Sequence, residues 1–236
     1  MSVLLETRAL SKHFSGVAAV DEVDLRIAKG EILAVVGPNG SGKTTLFNVT
    51  SGFLKPTTGS VWFEGRRIDE SAPHLLPGRG IARTFQQAMT FGELSVRETV
   101  MVPGYTGRFP KVDVNRLLRL CGLGDQAEVA GNALPYGRQR SLGVALALAT
   151  SPRLLLLDEP AAGLSEEDAA RLAALIRDIR DEGVSVAVID HNMHFLLPIA
   201  DRIMVMETGR VIFDGTTADM QAHQRVIDVY LGQDVV

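Results

Sequence analysis

One short stretch of this chain restricts the possible folds more than any other. Two glycines enclose four residues, and a lysine and two threonines follow, in the run Gly37-Pro38-Asn39-Gly40-Ser41-Gly42-Lys43-Thr44-Thr45. The apolar residues just before this run are typical of a buried strand, and residues 43–51 have the pattern of a helix. A buried strand, a glycine-rich loop and a helix in this order predict an α/β fold.

The residue types of this loop suit the binding of a phosphate chain. Glycines let the backbone curl so that its N–H groups converge on anionic oxygens, and the start of the helix adds a positive dipole end. Lys43 can reach the β- and γ-phosphates, and the Thr44 hydroxyl can bind Mg²⁺. A glycine-rich turn with an unrelated lysine is the alternative, which the flanking strand and helix disfavour. The predicted triphosphate-binding residues are Asn39, Gly40, Ser41, Gly42, Lys43, Thr44 and Thr45.

The bulk properties of the chain exclude several classes of protein. Its 236 residues have a net charge of -4, which gives no electrostatic reason to expect nucleic acid as a partner. The single cysteine, Cys121, cannot form an internal disulfide and lies on an apolar helical face, where we expect it to be buried. No apolar run approaches ~20 residues, and residues 1–8 lack the pattern of a signal peptide. We therefore expect a cytoplasmic protein that reaches a membrane only through a partner.

The apolar patterns predict three parts within one domain. Alternating apolar and polar residues at 3–9 and 23–27 predict antiparallel strands. The continuous apolar run at 154–157 is typical of a parallel strand that is buried on both faces, and the largely apolar residues 184–189 predict the next parallel strand. Glycines and prolines break up the chain from residue 87, and helical patterns follow as far as residue 150. We predict a mixed sheet core, an N-terminal antiparallel β subdomain and an inserted α-helical subdomain at about residues 87–150.

Polar side chains stand where the predicted parallel strands end. Asp158 and Glu159 follow a run of four leucines, and His191 follows the next strand. In open α/β sheets the ligand lies beyond the carboxyl ends of the strands, so Asp158 can face Mg²⁺ and Glu159 the attacking water. Gln86 ends another predicted strand and can bridge the metal and that water, while His191 can donate to a γ-phosphate oxygen. A solvated turn is the alternative for each of these residues taken alone.

Two further stretches complete an ordered set of motifs. They are Leu134-Pro135-Tyr136-Gly137-Arg138-Gln139-Arg140 and Ala161-Ala162-Gly163-Leu164-Ser165. Phe14, the glycine loop, the strand-end residues and these two stretches occur in a fixed order along the chain. In this order the chain resembles the nucleotide-binding subunit of an ABC transporter over essentially its whole length. The resemblance implies a P-loop NTPase fold of the ABC ATPase type, in a single domain of residues 1–236.

The resemblance also implies how ATP and Mg²⁺ are held. Phe14 corresponds to the residue that stacks on adenine, although the residues alone leave a hydrophobic plug of its loop equally open. Residues 37–45 correspond to the Walker A loop. Asp158 corresponds to the Walker B aspartate, so that Thr44, Gln86 and Asp158 form the expected metal site.

By the same resemblance, Glu159 is the catalytic glutamate, Gln86 belongs to the Q-loop and His191 is the switch histidine. Residues 161–165 correspond to the D-loop. A signature motif, which faces the ATP of a second subunit, consists of Pro135, Tyr136, Gly137 and Arg138 together with Leu134. The implied partners are that second ATPase subunit, identical or paralogous, and transmembrane permease subunits, with a solute-binding protein acting indirectly.

Several details are similar to the ATP-binding subunits of branched-chain amino acid importers, and specifically to the longer of the two. They are the approach Gly80-Ile81-Ala82-Arg83-Thr84-Phe85-Gln86, the Tyr-Gly signature, the Ala-Ala-Gly-Leu D-loop and the ending Val226-Ile227-Asp228-Val229-Tyr230-Leu231-Gly232. This implies a peripheral protein on the cytoplasmic face of the membrane. Importers of urea and amides, and exporters of lipids or lipopolysaccharide, are the alternatives. ABC ATPases of translation and DNA repair fit less well, since they usually have two cassettes or a long coiled coil.

Three residues depart from the usual ABC pattern. Pro135 stands where the signature usually has serine, so this position lacks both a hydroxyl and a backbone N–H. Arg138 replaces a glutamine, and we expect it either to offer charge to a phosphate or to point away and pair with an acid. Ser165 stands where the D-loop usually has aspartate, which puts the usual contact across the dimer in doubt.

Overall fold

A computed structural model of the chain describes residues 2–84 and 93–226. The strands are β1 (Val3–Phe14), β2 (Val17–Val23), β3 (Arg26–Ala28), β4 (Ile32–Val36), β5 (Thr58–Phe63), β6 (Arg66–Arg67), β7 (Ile81–Arg83), β8 (Leu154–Asp158), β9 (Ser185–Ile189), β10 (Arg202–Glu207) and β11 (Arg210–Gly215). The α-helices are α1 (Lys43–Thr50), α2 (Val96–Tyr105), α3 (Val114–Leu120), α4 (Tyr136–Leu148), α5 (Glu166–Asp181), α6 (Met193–Leu196) and α7 (Thr217–Gln221). Within these described ranges, no helix is long and apolar enough to cross a membrane.

The N-terminal strands form an antiparallel sheet, as the alternating pattern predicted. Its order is β2-β1-β5-β6, with β3 also paired to β1. The prediction that Phe14 lies in a loop is wrong: Phe14 is the last residue of β1 and pairs with Val17. The strand extends this far because Ser15 and Gly16, both with positive φ, close a two-residue hairpin turn.

The central sheet has the order β11-β10-β4-β9-β8-β7. All its neighbouring strands are parallel except β11, which pairs antiparallel with β10 at one edge. Every residue of β4, β8 and β9 is buried, which confirms what the continuous apolar runs predicted. The β10–β11 hairpin turns at Thr208 and Gly209, both of which have positive φ.

The two faces of the central sheet belong to two hydrophobic cores. In β4, Leu33 and Val35 pack with α1 and the antiparallel sheet. Ala34 and Val36 point to the opposite face, where they pack in a core shared with the helices α2 to α5. Side chains of a strand alternate between its faces, so one five-residue run supplies both cores. Each fully buried aliphatic side chain contributes roughly 1.5–3 kcal/mol to stability.

The helices between β7 and β8 begin at residues suited to helix N-termini. Ser95 and Glu98 form a reciprocal capping box at α2, and Asp113 caps α3. The apolar pattern of residues 138–150 predicts that the next helix starts at Arg138, but α4 begins two residues earlier, directly after Pro135. Its pattern of small and apolar residues becomes regular only later, which hid its first turn. Cys121, after α3, is buried as predicted, and burial raises the pKa of its thiol to about 12.

Candidate nucleotide-binding and hydrolysis site

The parallel strands bring the candidate residues to one edge of the central sheet. Val35 in β4 and Asp158 in β8 both pair with Ile189 in β9. The glycine loop, Glu159 and His191 therefore follow strand ends that lie side by side. This common edge is the crevice in which open α/β sheets bind ligands.

The glycine loop is packed so closely that larger residues are excluded. A Cβ atom on Gly37 would lie 2.1 Å from the Met206 carbonyl oxygen, and one on Gly42 would lie 2.1 Å from the Ala19 carbonyl oxygen. Both glycines also have positive φ, at 146° and 102°. Gly40, by contrast, has open space where a Cβ would stand. The loop thus combines a fixed backbone with an open concave side.

Lys43 lies inside this loop. Its Nζ donates to the carbonyl oxygens of Gly37 and Pro38, both at 2.8 Å, and to Ser41 Oγ at 3.3 Å. Burial lowers the pKa of Lys43, while the nearby charges of Glu159 and Asp158 raise it. The cation is therefore held within electrostatic reach of both strand-end carboxylates.

Helix α1 starts directly at the loop and presents its N-terminus to the crevice. Its N-cap is Gly42, which supplies no side-chain hydrogen bond to the first N–H groups of the helix. Thr44 is exposed and Thr45 is half-buried in this first turn. Unpaired N–H groups at a helix start attract anions, so this end of α1 suits a phosphate.

Asp158 is buried at the end of β8 and is held by an arginine. Arg83 Nη2 donates to Asp158 Oδ2 at 2.7 Å. The sequence did not single out this arginine, because the predicted strand ends at Gln86, whereas β7 ends at Arg83.

Glu159 has a strained backbone. Its φ is +47°, in the left-handed region that residues other than glycine rarely adopt, and its N–H donates to the Ile189 carbonyl oxygen at 2.7 Å. Such strain persists only where the surroundings enforce it, and it concentrates at functional sites. The hydrogen bond to β9 fixes the backbone of Glu159 and so restricts the position of its half-buried side chain.

Asp190, also missed from the sequence, organises the loop that contains His191. Its buried carboxylate accepts N–H groups from His191 at 2.8 Å, Asn192 at 2.9 Å and Ala161 at 3.0 Å. It therefore ties the end of β9 to the stretch that follows Glu159. The His191 side chain itself is 70% exposed, so it is open to a ligand.

Phe14 lies at the tip of the β1–β2 hairpin. Its ring is 42% exposed, and Lys12 Nζ lies 5.2 Å from the ring centroid. The same hairpin reaches the glycine loop through Ala19, whose carbonyl oxygen lies where a side chain on Gly42 would stand. An exposed aromatic ring next to a phosphate loop suits stacking on a base. Gln86, the remaining predicted residue at the γ-phosphate, lies outside the described residues.

The signature stretch forms the exposed start of α4. Pro135 is its N-cap, and Tyr136 donates from its hydroxyl to the Ala162 carbonyl oxygen at 3.3 Å. Arg138 donates to the carbonyl oxygen of Gly122, after α3. Arg138 therefore bonds within its own subunit, as the second of the two expectations had it. The group that accepts its hydrogen bond is a backbone carbonyl and not the acid that was expected.

Ser165 retains a structural role at the position where aspartate was expected. It is the N-cap of α5, and its Oγ accepts the Asp168 N–H at 3.2 Å. Serine and aspartate cap helices about equally well. The departure therefore leaves the start of α5 intact.

The chain is similar to known proteins in sequence and in fold. The family profile described as "ABC transporter" matches residues 20–162. The chain belongs to the ABC transporter family. A second profile, described as "Branched-chain amino acid ATP-binding cassette transporter", matches residues 210–236 of this ABC protein. The ABC ATPase fold and ATP hydrolysis predicted from the motifs are thereby confirmed at the level of the family.

Similar relatives cover the whole ABC protein. The high-affinity branched-chain amino acid transport ATP-binding protein BraF of Pseudomonas aeruginosa is 34% identical, with 98% of each chain covered. LivG of Escherichia coli, with the same description, is 33% identical over the same shares. An ATP-binding cassette of an ABC transporter, solved in its ADP conformation, superposes with a TM-score of 0.89 at 28% identity, covering 98% of this chain and all of the other. A nucleotide-free cassette gives a TM-score of 0.87 at 28% identity, covering 97% and 99%.

Proposed function

We propose that this ABC protein is the ATP-hydrolysing subunit of an importer for branched-chain amino acids, peripheral to the cytoplasmic face of the membrane. The observation that carries the proposal is the convergence of the buried Lys43 and Asp158 with the half-buried Glu159 at one edge of the sheet. The relatives named for branched-chain amino acid transport support the solute class. So does the match of residues 210–236 to the branched-chain profile.

ATP would lie along the glycine loop, with its base on Phe14. The phosphates would accept from the N–H groups of residues 39–45 and from Lys43. Mg²⁺ would be held by Thr44, Asp158 and Gln86, and it neutralises charge that develops on the phosphates. Proteins hold Mg²⁺ through one or two carboxylates, waters and the substrate phosphates, and Asp158 would be the carboxylate here.

Hydrolysis would proceed by in-line attack of water on the γ-phosphorus, while the bond from phosphorus to the β–γ bridging oxygen breaks and ADP leaves. Glu159 would accept the proton of the water as its oxygen attacks, with the strained backbone holding the carboxylate in line. His191, exposed beyond Asp190, would donate to a γ-phosphate oxygen. Gln86 would help to place the water. Catalysis of this kind consists mainly of positioning and charge stabilisation.

A second subunit would complete each site. Pro135 and Tyr136 are exposed at the start of α4, which has no capping side chain, so this helix end is open to an anion from outside its own subunit. The γ-phosphate of the ATP bound by the opposite subunit would be that anion. Two ATP molecules would thus be enclosed between two such chains, identical or paralogous.

The permease subunits would dock on the face that holds Phe53. Phe53 is exposed and lines a groove of about 300 Å³ together with Pro73 and Leu76. An exposed apolar groove of this kind suits a cytoplasmic segment of a membrane protein. The solute-binding protein would act through the permease, without touching this chain.

Replacing Pro135 by serine tests the departure in the signature. We expect ATPase activity equal to or higher than that of the wild type, because serine restores a hydroxyl and a backbone N–H and is a preferred N-cap residue. Steady-state phosphate release measures it, with Pro110→Ser as a control at another exposed proline. A large loss of activity would contradict the assignment of this helix start to the opposing ATP.

Uptake of labelled solute tests the transport function. Deleting the gene in its host should abolish high-affinity uptake of leucine, isoleucine and valine, and the wild-type gene should restore it. A gene encoding Glu159→Gln should fail to restore uptake. Intact uptake of all three amino acids after deletion, with loss of urea or amide uptake, would favour the alternative solutes and overturn the proposal.

A further inference from the structure

Arg83 joins three elements around the proposed metal site. It is the last residue of β7, and its side chain is only 7% exposed. Its Nη2 donates to Asp158 Oδ2 at 2.7 Å, and its Nη1 donates to Asn48 Oδ1 and Ser51 Oγ, both at 2.8 Å. One guanidinium therefore bonds the end of β8 and the last part of α1 at once.

The ion pair restricts how the Asp158 carboxylate can turn. Asp158 and Arg83 are both nearly buried, so water screens their attraction little. With Oδ2 bonded to Arg83, Oδ1 is the oxygen that Asp158 can offer to a metal ion. A hydrogen-bond partner of a metal-binding side chain fixes the orientation of that side chain and tunes the affinity of the site for the metal.

The contacts with α1 restrict the other side of the same site. Asn48 lies four residues after Thr44, which is about one helical turn. Ser51 directly follows the last residue of α1. By holding both, Arg83 sets the distance between the helix that presents Thr44 and the strand that presents Asp158.

An arginine is suited to this position where a lysine is not. A planar guanidinium can donate to the carboxylate and to two α1 side chains at fixed angles. It also lies 5.6 Å from the centroid of the half-exposed Phe53 ring, a stacking contact that an ammonium group fits less well. A lysine would preserve the charge, but its ammonium group could not bond Asp158, Asn48 and Ser51 at the same positions.

We propose that Arg83 is a positioning residue for the Mg²⁺ site, acting through Asp158 and through the spacing between β8 and α1. The inference rests on the proposed function, in which Thr44 and Asp158 hold the metal. It assigns to Arg83 an effect on the metal that is separate from the binding of the nucleotide itself, because the guanidinium bonds to Asp158, Asn48 and Ser51, which lie outside the glycine loop.

The test is a Mg²⁺ titration of Arg83→Lys. Binding of a fluorescent ATP analogue to the purified chain is measured first in EDTA and then at rising Mg²⁺. We expect the affinity for the analogue in EDTA to stay within about twofold of the wild type. The Mg²⁺ concentration that gives half of the Mg²⁺-dependent change in analogue binding should rise ~10–100-fold, the usual result of removing a hydrogen-bond partner of a metal ligand.

Arg67→Lys is the matched control. Arg67 forms the same kind of pair with Asp69, at 2.9 Å, but its side chain is more than half exposed and lies outside the site. We expect its Mg²⁺ dependence to equal that of the wild type.

Asn48→Ala serves as a milder variant should Arg83→Lys fold poorly, since it leaves the ion pair in place and should give a smaller shift in the same direction.

The outcomes separate this inference from the function on which it rests. Equal losses of affinity in EDTA and in Mg²⁺ would mean that Arg83 only supports the fold, and would overturn the inference. An unchanged Mg²⁺ dependence in both Arg83→Lys and Asn48→Ala would overturn it as well. Wild-type binding that does not respond to Mg²⁺ at all would instead contradict the proposed metal site itself.

Discussion

Replacing Glu159 by glutamine is expected to stop turnover while ATP remains bound. Glutamine has nearly the same shape but cannot take a proton from the attacking water. A general base contributes ~10²–10⁴-fold to rate, so we expect steady-state phosphate release to fall by that factor. The strained backbone at this position, with φ of +47°, should tolerate the change because the backbone atoms are unaltered.

Binding measured beside turnover makes this experiment decisive. The affinity of Glu159→Gln for ATP should match that of the wild type or exceed it, since a negative charge near the γ-phosphate is removed. Glu70→Gln, at an exposed glutamate outside the site, provides the control and should keep full activity. Wild-type turnover in Glu159→Gln would refute the assignment of the catalytic glutamate.

Replacing Lys43 by alanine is expected to weaken nucleotide binding strongly. The lysine is the buried cation of the loop, and it also bonds two loop carbonyls, those of Gly37 and Pro38. A hydrogen bond to a charged group is worth ~1.5–3 kcal/mol, which predicts a loss of affinity of roughly 10–100-fold. Equilibrium binding of a fluorescent ATP analogue measures this loss.

Two accompanying measurements isolate the effect of the charge. Lys55→Ala removes an exposed lysine just beyond α1 and should leave the affinity unchanged. Thermal unfolding without nucleotide should show that Lys43→Ala still folds. An unaltered ATP affinity in a folded Lys43→Ala protein would remove the glycine loop from the proposed site.

The structure also changes how the signature departures are understood. Tyr136 donates to the carbonyl oxygen of Ala162, and Ser165 caps α5 with its hydroxyl. Arg138 bonds the Gly122 carbonyl within its own subunit. Ser165 and Arg138 therefore have local structural roles. Pro135 remains the departure that bears most directly on the opposing ATP.

The sequence by itself determined the sheet core and most of the candidate site. The pattern of residues 37–45 is local: its glycines and lysine act on one short loop, so their spacing predicts the geometry. Continuous apolar runs predicted buried parallel strands, and polar residues directly after them, such as Asp158 and His191, had to lie at the ligand edge. These inferences hold because strand direction and side-chain alternation follow from neighbouring residues alone.

Only the tertiary structure decided which groups meet across elements. Arg83 and Asp158 are 75 positions apart in the chain, and Asp190 bonds the N–H of Ala161 from 29 positions away. No local pattern marks such pairs, because each depends on the order of strands in the sheet and on the register between them. The direction of Arg138 and the early start of α4 were likewise decided by packing, since a side chain with several possible partners bonds the one that the fold places nearest.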